Sequence, residues 1–138
     1  MTMDIDLARE FVRNHHRAVL TTYHPDGRAQ VSPVLVGVDE AGHAVISTRE
    51  TATKTRNLAA DPRVVLCVFT DAFFGDWVLI EGRASVVRLP DAMEPLVDYY
   101  RGVSGEHPDW DDYRAAMVRD RRVLLRVTIT RAGPDRHG

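Results

Sequence analysis

Cysteine is nearly absent from these 138 residues. Cys67 stands alone, so no intramolecular disulfide can staple the fold. It lies in the apolar run 64–69, where a buried, reduced thiol is the expectation, and that usage suits a cytoplasmic protein. Long apolar stretches are missing too. Nowhere do about 18 apolar residues follow one another, and the first residues carry no apolar segment behind a basic start. Neither a membrane span nor a secretory leader is expected. Charge of one sign is also lacking: 18 basic and 20 acidic side chains leave a net charge of −2, which argues against a general nucleic-acid or membrane-surface binder. There is no Gly-x-Gly-x-x-Gly, Walker-type Gly-Lys-Ser/Thr, Cys-x-x-Cys or Gly-x-Ser-x-Gly. No catalytic side chain is assigned, and any chemistry is expected to come from a bound cofactor. No metal site is expected either, since the adjacent His15 and His16 point apart at the end of a helix, where they suit its dipole.

Lysine is the scarcest cation. Of the 18 basic residues only Lys54 is a lysine. It sits in the stretch 46–58, where a short strand reaching Ser47 and Thr48 passes through a hydroxyl-rich turn into a helix that opens with Thr51, Thr53, Lys54 and Thr55. Free N–H groups at a helix start, hydroxyl donors and a compact ammonium together suit a phosphate. The alternative is an ordinary helix start, with Thr51 as N-cap and Glu50 paired to Lys54.

With 44% hydrophobic and 28% charged residues, the chain reads as one globular domain over 1–138. Asp4 can cap a first helix that places Ile5, Ala8, Phe11 and Val12 on one side. A strand over 17–23 then turns through His24-Pro25-Asp26-Gly27 into a second strand over 28–38. In that strand Gln30, Ser32 and Val34 share a face, lining a pocket or meeting water, and Pro33 marks an edge, a bulge or a ligand contact. A third strand spans 43–48. After the Lys54 helix, Asp61-Pro62 gives way to an unbroken apolar run over 63–70 that reads as a buried strand. Trp77 opens a fifth strand over 77–88, with Gly82 marking a bulge or a close backbone approach. Met93, Leu96, Val97 and Tyr100 predict a helix ending at Gly102, and Asp109 begins another with Trp110, Tyr113 and Met117 on one side. A last strand over 123–130 precedes a tail from Ala132 to Gly138 that reads as frayed. Six strands and four helices without a βαβ repeat predict a mainly β fold, an antiparallel barrel with helical insertions.

The order of Asp26-Gly27-Arg28-Ala29-Gln30-Val31-Ser32-Pro33, Ile46-Ser47-Thr48, Lys54-Thr55-Arg56-Asn57-Leu58, Asp61-Pro62-Arg63-Val64 and Ile80-Glu81-Gly82 resembles the pyridoxamine 5'-phosphate oxidase-like split-barrel superfamily. The Lys-Thr-Arg-Asn-Leu helix resembles the branch that uses the deazaflavin coenzyme F420. So do Tyr100-Arg101, Gly105-Glu106-His107, Asp109-Trp110-Asp111-Asp112-Tyr113-Arg114 and Asp120-Arg121-Arg122-Val123-Leu124-Leu125.

The resemblance implies a homodimer of six-stranded antiparallel split barrels (the FMN-binding split barrel, a Greek key), with cofactor sites in the grooves between subunits. It implies that Lys54 holds the cofactor phosphate with Thr48, Thr53 and the helix start. Ser47 and Ile46 would lie along the ring and its linker, and Gln30, Ser32 and Val34 at the ring edge. Trp77 would come from the partner subunit. Arg56 and Asn57 would bind the cofactor tail or brace the loop, and Arg49 would join Arg56 on a polyanionic tail. The flavin-using branch resembles Arg-Lys where this chain has Thr53-Lys54, so one cationic clamp is missing and F420 is favoured over FMN. The chain also stops soon after its last strand, which argues against vitamin-B6 oxidation. The expected activity is an oxidoreductase passing hydride from reduced F420 to an unsaturated small-molecule acceptor. The alternatives are an FMN-dependent oxidase or reductase, or a non-catalytic carrier of either cofactor.

Overall fold

A computed structural model describes residues 3–137. Helix α1 (Ile5–Asn14) starts where the Asp4 carboxylate accepts the Asp6 N–H at 2.7 Å, as the sequence predicts. Strand β1 (Arg17–Tyr23) and strand β2 (Ala29–Leu35) form the expected hairpin, with Gly27 at a φ of 89° in its turn. Strands β3 (Gly37–Val38) and β4 (Ala44–Arg49) then lead into helix α2 (Thr53–Ala60). Strands β5 (Arg63–Phe69) and β6 (Asp76–Val87), helices α3 (Met93–Ser104) and α4 (Trp110–Arg119), and strand β7 (Arg122–His137) complete the order.

The strands form one antiparallel sheet in the order β2-β1-β5-β6-β7-β4-β3, curled around a core as in a split barrel. It has seven strands rather than six, because the single strand expected over 28–38 breaks at Val36. There the chain leaves β1: the Val36 side chain enters the core, its N–H donates to His16 O at 2.8 Å, and the next residue pairs with Val45 instead. Inside the curl lie Leu20, Ile46, Leu66, Ile80 and Leu125, closed off by Ala8 and Val12 of α1 and Leu58 of α2. A second cluster outside it packs Leu96, Val97, Tyr113 and Met117 of α3 and α4 onto Val45 and Leu124. No helix among the described residues is long and apolar enough to cross a membrane.

Three local expectations are corrected. Gly102 lies within α3, and the helix ends instead at Gly105, whose φ of 82° suits glycine. The frayed tail is strand: β7 runs on to His137 beside Asp76, while Gly138 lies outside the described residues. Cys67 is half-buried rather than buried, because Val64, Leu66 and Val68 take the inward positions of β5 and the residues between them face out. Burial nonetheless raises the Cys67 thiol pKa.

Gly82 marks the bulge the sequence suggests, with a register shift between Glu81 and Gly82. A Cβ there would sit 2.4 Å from Thr128 O, a backbone atom of β7 that cannot swing aside. Gly82→Ala is therefore expected to destabilise the fold by about 1–3 kcal/mol, the scale of overpacking in a close-packed interior. Urea denaturation checks this, and an unchanged midpoint would contradict it.

Candidate functional site

The sheet does not close. Among the described residues, strand β2 pairs with β1 alone, and β4 pairs with β3 only at Ala44 and Val45. From Ile46 to Arg49, β4 bonds only to β7 on its other side. These two open flanks face each other across a seam. At one level the Tyr99 hydroxyl, carried in by α3, donates to Leu35 O of β2 at 2.9 Å and lies close enough to the Ser47 N–H of β4 for that group to act on its pKa. At another level Lys54, five residues beyond β4, reaches back so that its Nζ donates to Ser32 Oγ of β2 at 3.2 Å.

The turn that aims Lys54 is fixed to β7. The Glu50 N–H donates to Arg121 O at 2.9 Å, and the Glu50 carboxylate takes Arg121 at 3.0 Å and Arg88 at 3.4 Å. Glu50 thus pairs with these arginines and not with Lys54. Nor is Thr51 the cap: Ala52 holds the N-cap position, and no side chain caps α2. The Thr55 hydroxyl is engaged by Arg49 O at 2.7 Å.

Register then brings in a residue that the sequence did not single out. Arg49 pairs with Arg122, Ser47 with Leu124 and Val45 with Arg126, so each pair shares a face of the sheet. The Arg122 Nε is buried with no hydrogen-bond partner among the described residues. Among the described residues, none of Arg49, Lys54, Arg56 or Arg122 has a carboxylate partner. Burial, and then the charge of Arg122, hold the Lys54 ammonium below its ordinary pKa. Burial raises the Tyr99 hydroxyl, opposed by the Ser47 N–H and by Arg122.

The expected site residues divide into groups. Ser32 and Lys54 meet directly. Gln30 and Asn57 are joined through Thr22, which is fully buried: Asn57 Nδ2 donates to Thr22 Oγ1 at 3.1 Å, and that hydroxyl lies 3.5 Å from Gln30 Oε1. Asn57 is itself buried, so it braces α2 against β1. Val34 is half-buried on the same face of β2 as Ser32. Thr53 accepts from Arg56 Nη2 at 3.4 Å at the start of α2.

Other expected residues stand apart. Ile46 and Thr48 turn into the core and are 1% and 5% exposed, on the face opposite Ser47, so only their backbone borders the seam. Trp77 lies at the outer end of β6, three strands from β2 in the row Leu35–Arg17–Phe69–Trp77. Thr22 carried a usable signal in the sequence, a hydroxyl in register with the inward Ala18 and Leu20. Arg122 falls in the stretch 120–125 that resembles the deazaflavin branch, but nothing there marks its side chain for the seam, where only pairing across the sheet places it.

A model of the family described as pyridoxamine 5'-phosphate oxidase matches residues 5–133. Among solved structures, a conserved hypothetical protein from Mycobacterium tuberculosis is 24% identical, with a TM-score of 0.76 over 96% of this chain and 84% of that one. An F420 reductase is 20% identical, with a TM-score of 0.69 over 91% of this chain and 94% of the other. An FAD-binding protein from Mesorhizobium loti is 17% identical, with a TM-score of 0.66 over 98% and 94% of the two chains. At these identities the likeness speaks for the fold.

The lowered Lys54 pKa has a consequence that can be measured. Its folded value lies below the ordinary lysine value of 10.5, so the charged lysine opposes folding at neutral pH. That opposition fades as pH rises through the folded pKa towards the unfolded one. Lys54→Met, which keeps the stem and removes the charge, is expected to melt no lower than the wild type at about pH 7 without ligand, with any difference shrinking as pH rises. A clear fall in Tm would mean that the ammonium serves the fold itself.

Proposed function

This chain belongs to the pyridoxamine 5'-phosphate oxidase family, and we propose that its seam binds coenzyme F420 and serves an oxidoreductase. One observation carries the reading. Three cations, Arg49, Lys54 and Arg122, gather at one end of the seam without a carboxylate partner among the described residues: Arg49 pairs with Arg122 across β4 and β7, and the charge of Arg122 acts on Lys54. In a chain of net charge −2 such a cluster calls for a polyanionic ligand. Lys54 and Ser32 would hold the phosphate with Arg122, which supplies from β7 the second cation that Thr53 does not. Arg49 and Arg56 would reach the acidic tail. Gln30 and Val34 would border the ring, as would Ser47 and the backbone at Ile46 and Thr48. When bound, reduced F420 would supply the hydride chemistry, and this chain's part would be to place an unsaturated acceptor against the ring and keep water out.

A second reading, FMN on the same fold, is favoured by the same Lys54–Ser32 contact, since a phosphate alone satisfies it. An equilibrium fluorescence titration with F420 and with FMN separates the two. F420 is expected to bind more tightly, and Lys54→Ala and Arg122→Ala each to weaken it by roughly 1.5–3 kcal/mol, the scale of a charge-assisted contact. Preference for FMN would overturn the deazaflavin assignment, and unchanged affinity in both variants would remove the cation cluster from the site. Turnover of an acceptor by the reduced complex separates an enzyme from a carrier.

The reading includes a homodimer. On the outward side of β2, β1, β5 and β6, Val31, Leu35, Val19, Val65 and Leu79 join Cys67 in an apolar surface that no described helix covers. Val31 and Leu35 are 57% and 47% exposed. That accounts for an unbroken apolar run on β5, whose outer half needs a cover that one copy does not provide. It also lets Trp77 serve the partner's site. Leu35→Asp is expected to convert a dimer to a monomer by light scattering, whereas a wild type that is already monomeric would contradict this arrangement.

A further inference from the structure

Three polar side chains, Asn57, Thr22 and Gln30, form a relay that runs from α2 through β1 to β2. Thr22 stands opposite Gln30 in the ladder, and both lie on the face that carries Ser32. From α2, about one turn apart, Lys54 Nζ donates to Ser32 Oγ at 3.2 Å and Asn57 Nδ2 donates to Thr22 Oγ1 at 3.1 Å. The helix thus grips the hairpin at two successive levels.

The direction of the relay follows from which atoms can give a proton. An amide nitrogen only donates, so the Thr22 oxygen is the acceptor from Asn57 and its own proton must go elsewhere. Thr22 is 0% exposed, which denies that proton to solvent, and the acceptor within reach among the described residues is Gln30 Oε1 at 3.5 Å. At that length the contact directs the amide more than it stabilises it. A buried hydroxyl proton without any acceptor is nonetheless costly, so Gln30 is held with its oxygen turned to Thr22 and its nitrogen on the side away from it. Gln30 is only half-buried, and its nitrogen has no partner among the described residues, so its N–H groups are free to meet a ligand.

We propose that Asn57 and Thr22 are positioning residues that make Gln30 a hydrogen-bond donor at the seam, so that the ring edge seated there must offer an acceptor oxygen. The inference rests on the seam being the cofactor site. It adds a rule of selection: a ring edge with a carbonyl oxygen is accepted, as both the deazaflavin and the flavin ring provide, whereas an amino group there would bring two donors face to face. Ser32 and Gln30 are two residues apart on one face of β2, about 7 Å, so the group held by Lys54 and Ser32 and the ring edge held by Gln30 are gripped at separate levels.

Two measurements test this. Neutron diffraction from ligand-free crystals in heavy water is expected to show the Thr22 deuteron directed at Gln30 Oε1 and the Gln30 amide deuterons on the far side. A Thr22 deuteron directed at Asn57, with the Gln30 nitrogen turned towards Thr22, would overturn the assignment, and this result requires no variant to fold. The second measurement is a double-mutant cycle read by equilibrium titration with F420 and with FMN. Thr22→Val and Gln30→Ala are each expected to weaken binding about three- to tenfold, the loss of one uncharged hydrogen bond. The variant carrying both changes should bind no worse than Gln30→Ala alone, and Thr22→Ser, which keeps the hydroxyl, should stay within about twofold of the wild type. The absorption band of the bound ring should move alike in Thr22→Val and Gln30→Ala. Losses that add, or a Thr22→Ser variant as weak as Thr22→Val, would reduce Thr22 to a packing residue and overturn the relay while leaving the seam as the cofactor site. A wild type that binds neither cofactor would overturn the seam reading and the relay with it.

Discussion

A sheet that curls but does not close leaves two strand flanks with unpaired backbone groups, and the rest of this molecule is arranged around that break. Such groups are costly when buried without partners. Here the break between β2 and β4 is bridged by side chains instead of strand pairing: the Tyr99 hydroxyl from α3 at one level, and Lys54 reaching Ser32 at another. Both bridges contact polar atoms along the seam without filling it. The short strand β3 contributes to the break as well, because the chain leaves β1 at Val36 and pairs with only two residues of β4.

The charge arrangement follows from the same geometry. Elsewhere the arginines are mostly paired at the surface, as Arg63 is with Asp61 and Arg28 with Asp26. Such pairs are exposed and screened. Around the seam the cations lack that company, and Lys54 is desolvated beside Arg122. Keeping like charges together in a partly buried place opposes folding, so their presence is better explained by a ligand than by the fold. An anion there would remove the repulsion between Lys54 and Arg122.

Much of this was legible in the sequence, because local chemistry sets it. The single lysine after a hydroxyl-rich turn marked the helix start that reaches the seam, and Gly82 marked the bulge where β6 meets β7. The hairpin at Pro25-Asp26-Gly27 and the Asp4 cap were equally readable. What escaped depends on contacts distant in sequence. The break at Val36 is decided by His16 and Val45, which no periodicity in residues 28–38 reveals. Thr51 looks like a cap, yet the turn is held by Glu50 on Arg121, and the cap position falls to Ala52. Ile46 and Ser47 are neighbours in the chain but face opposite sides, so proximity in sequence misleads about which side chain can touch a ligand.

The central claim is that the cofactor lies in the seam between β2 and β4. Amide hydrogen exchange tests it directly, because the open flanks present backbone N–H groups to solvent until something covers them. Comparing the free protein with the protein saturated with F420, the account predicts slowed exchange concentrated at residues 30–34, 46–49 and 53–56, with the outward face of β5 unchanged at constant oligomeric state. Protection confined to other elements, with these three segments exchanging as fast as before, would contradict it.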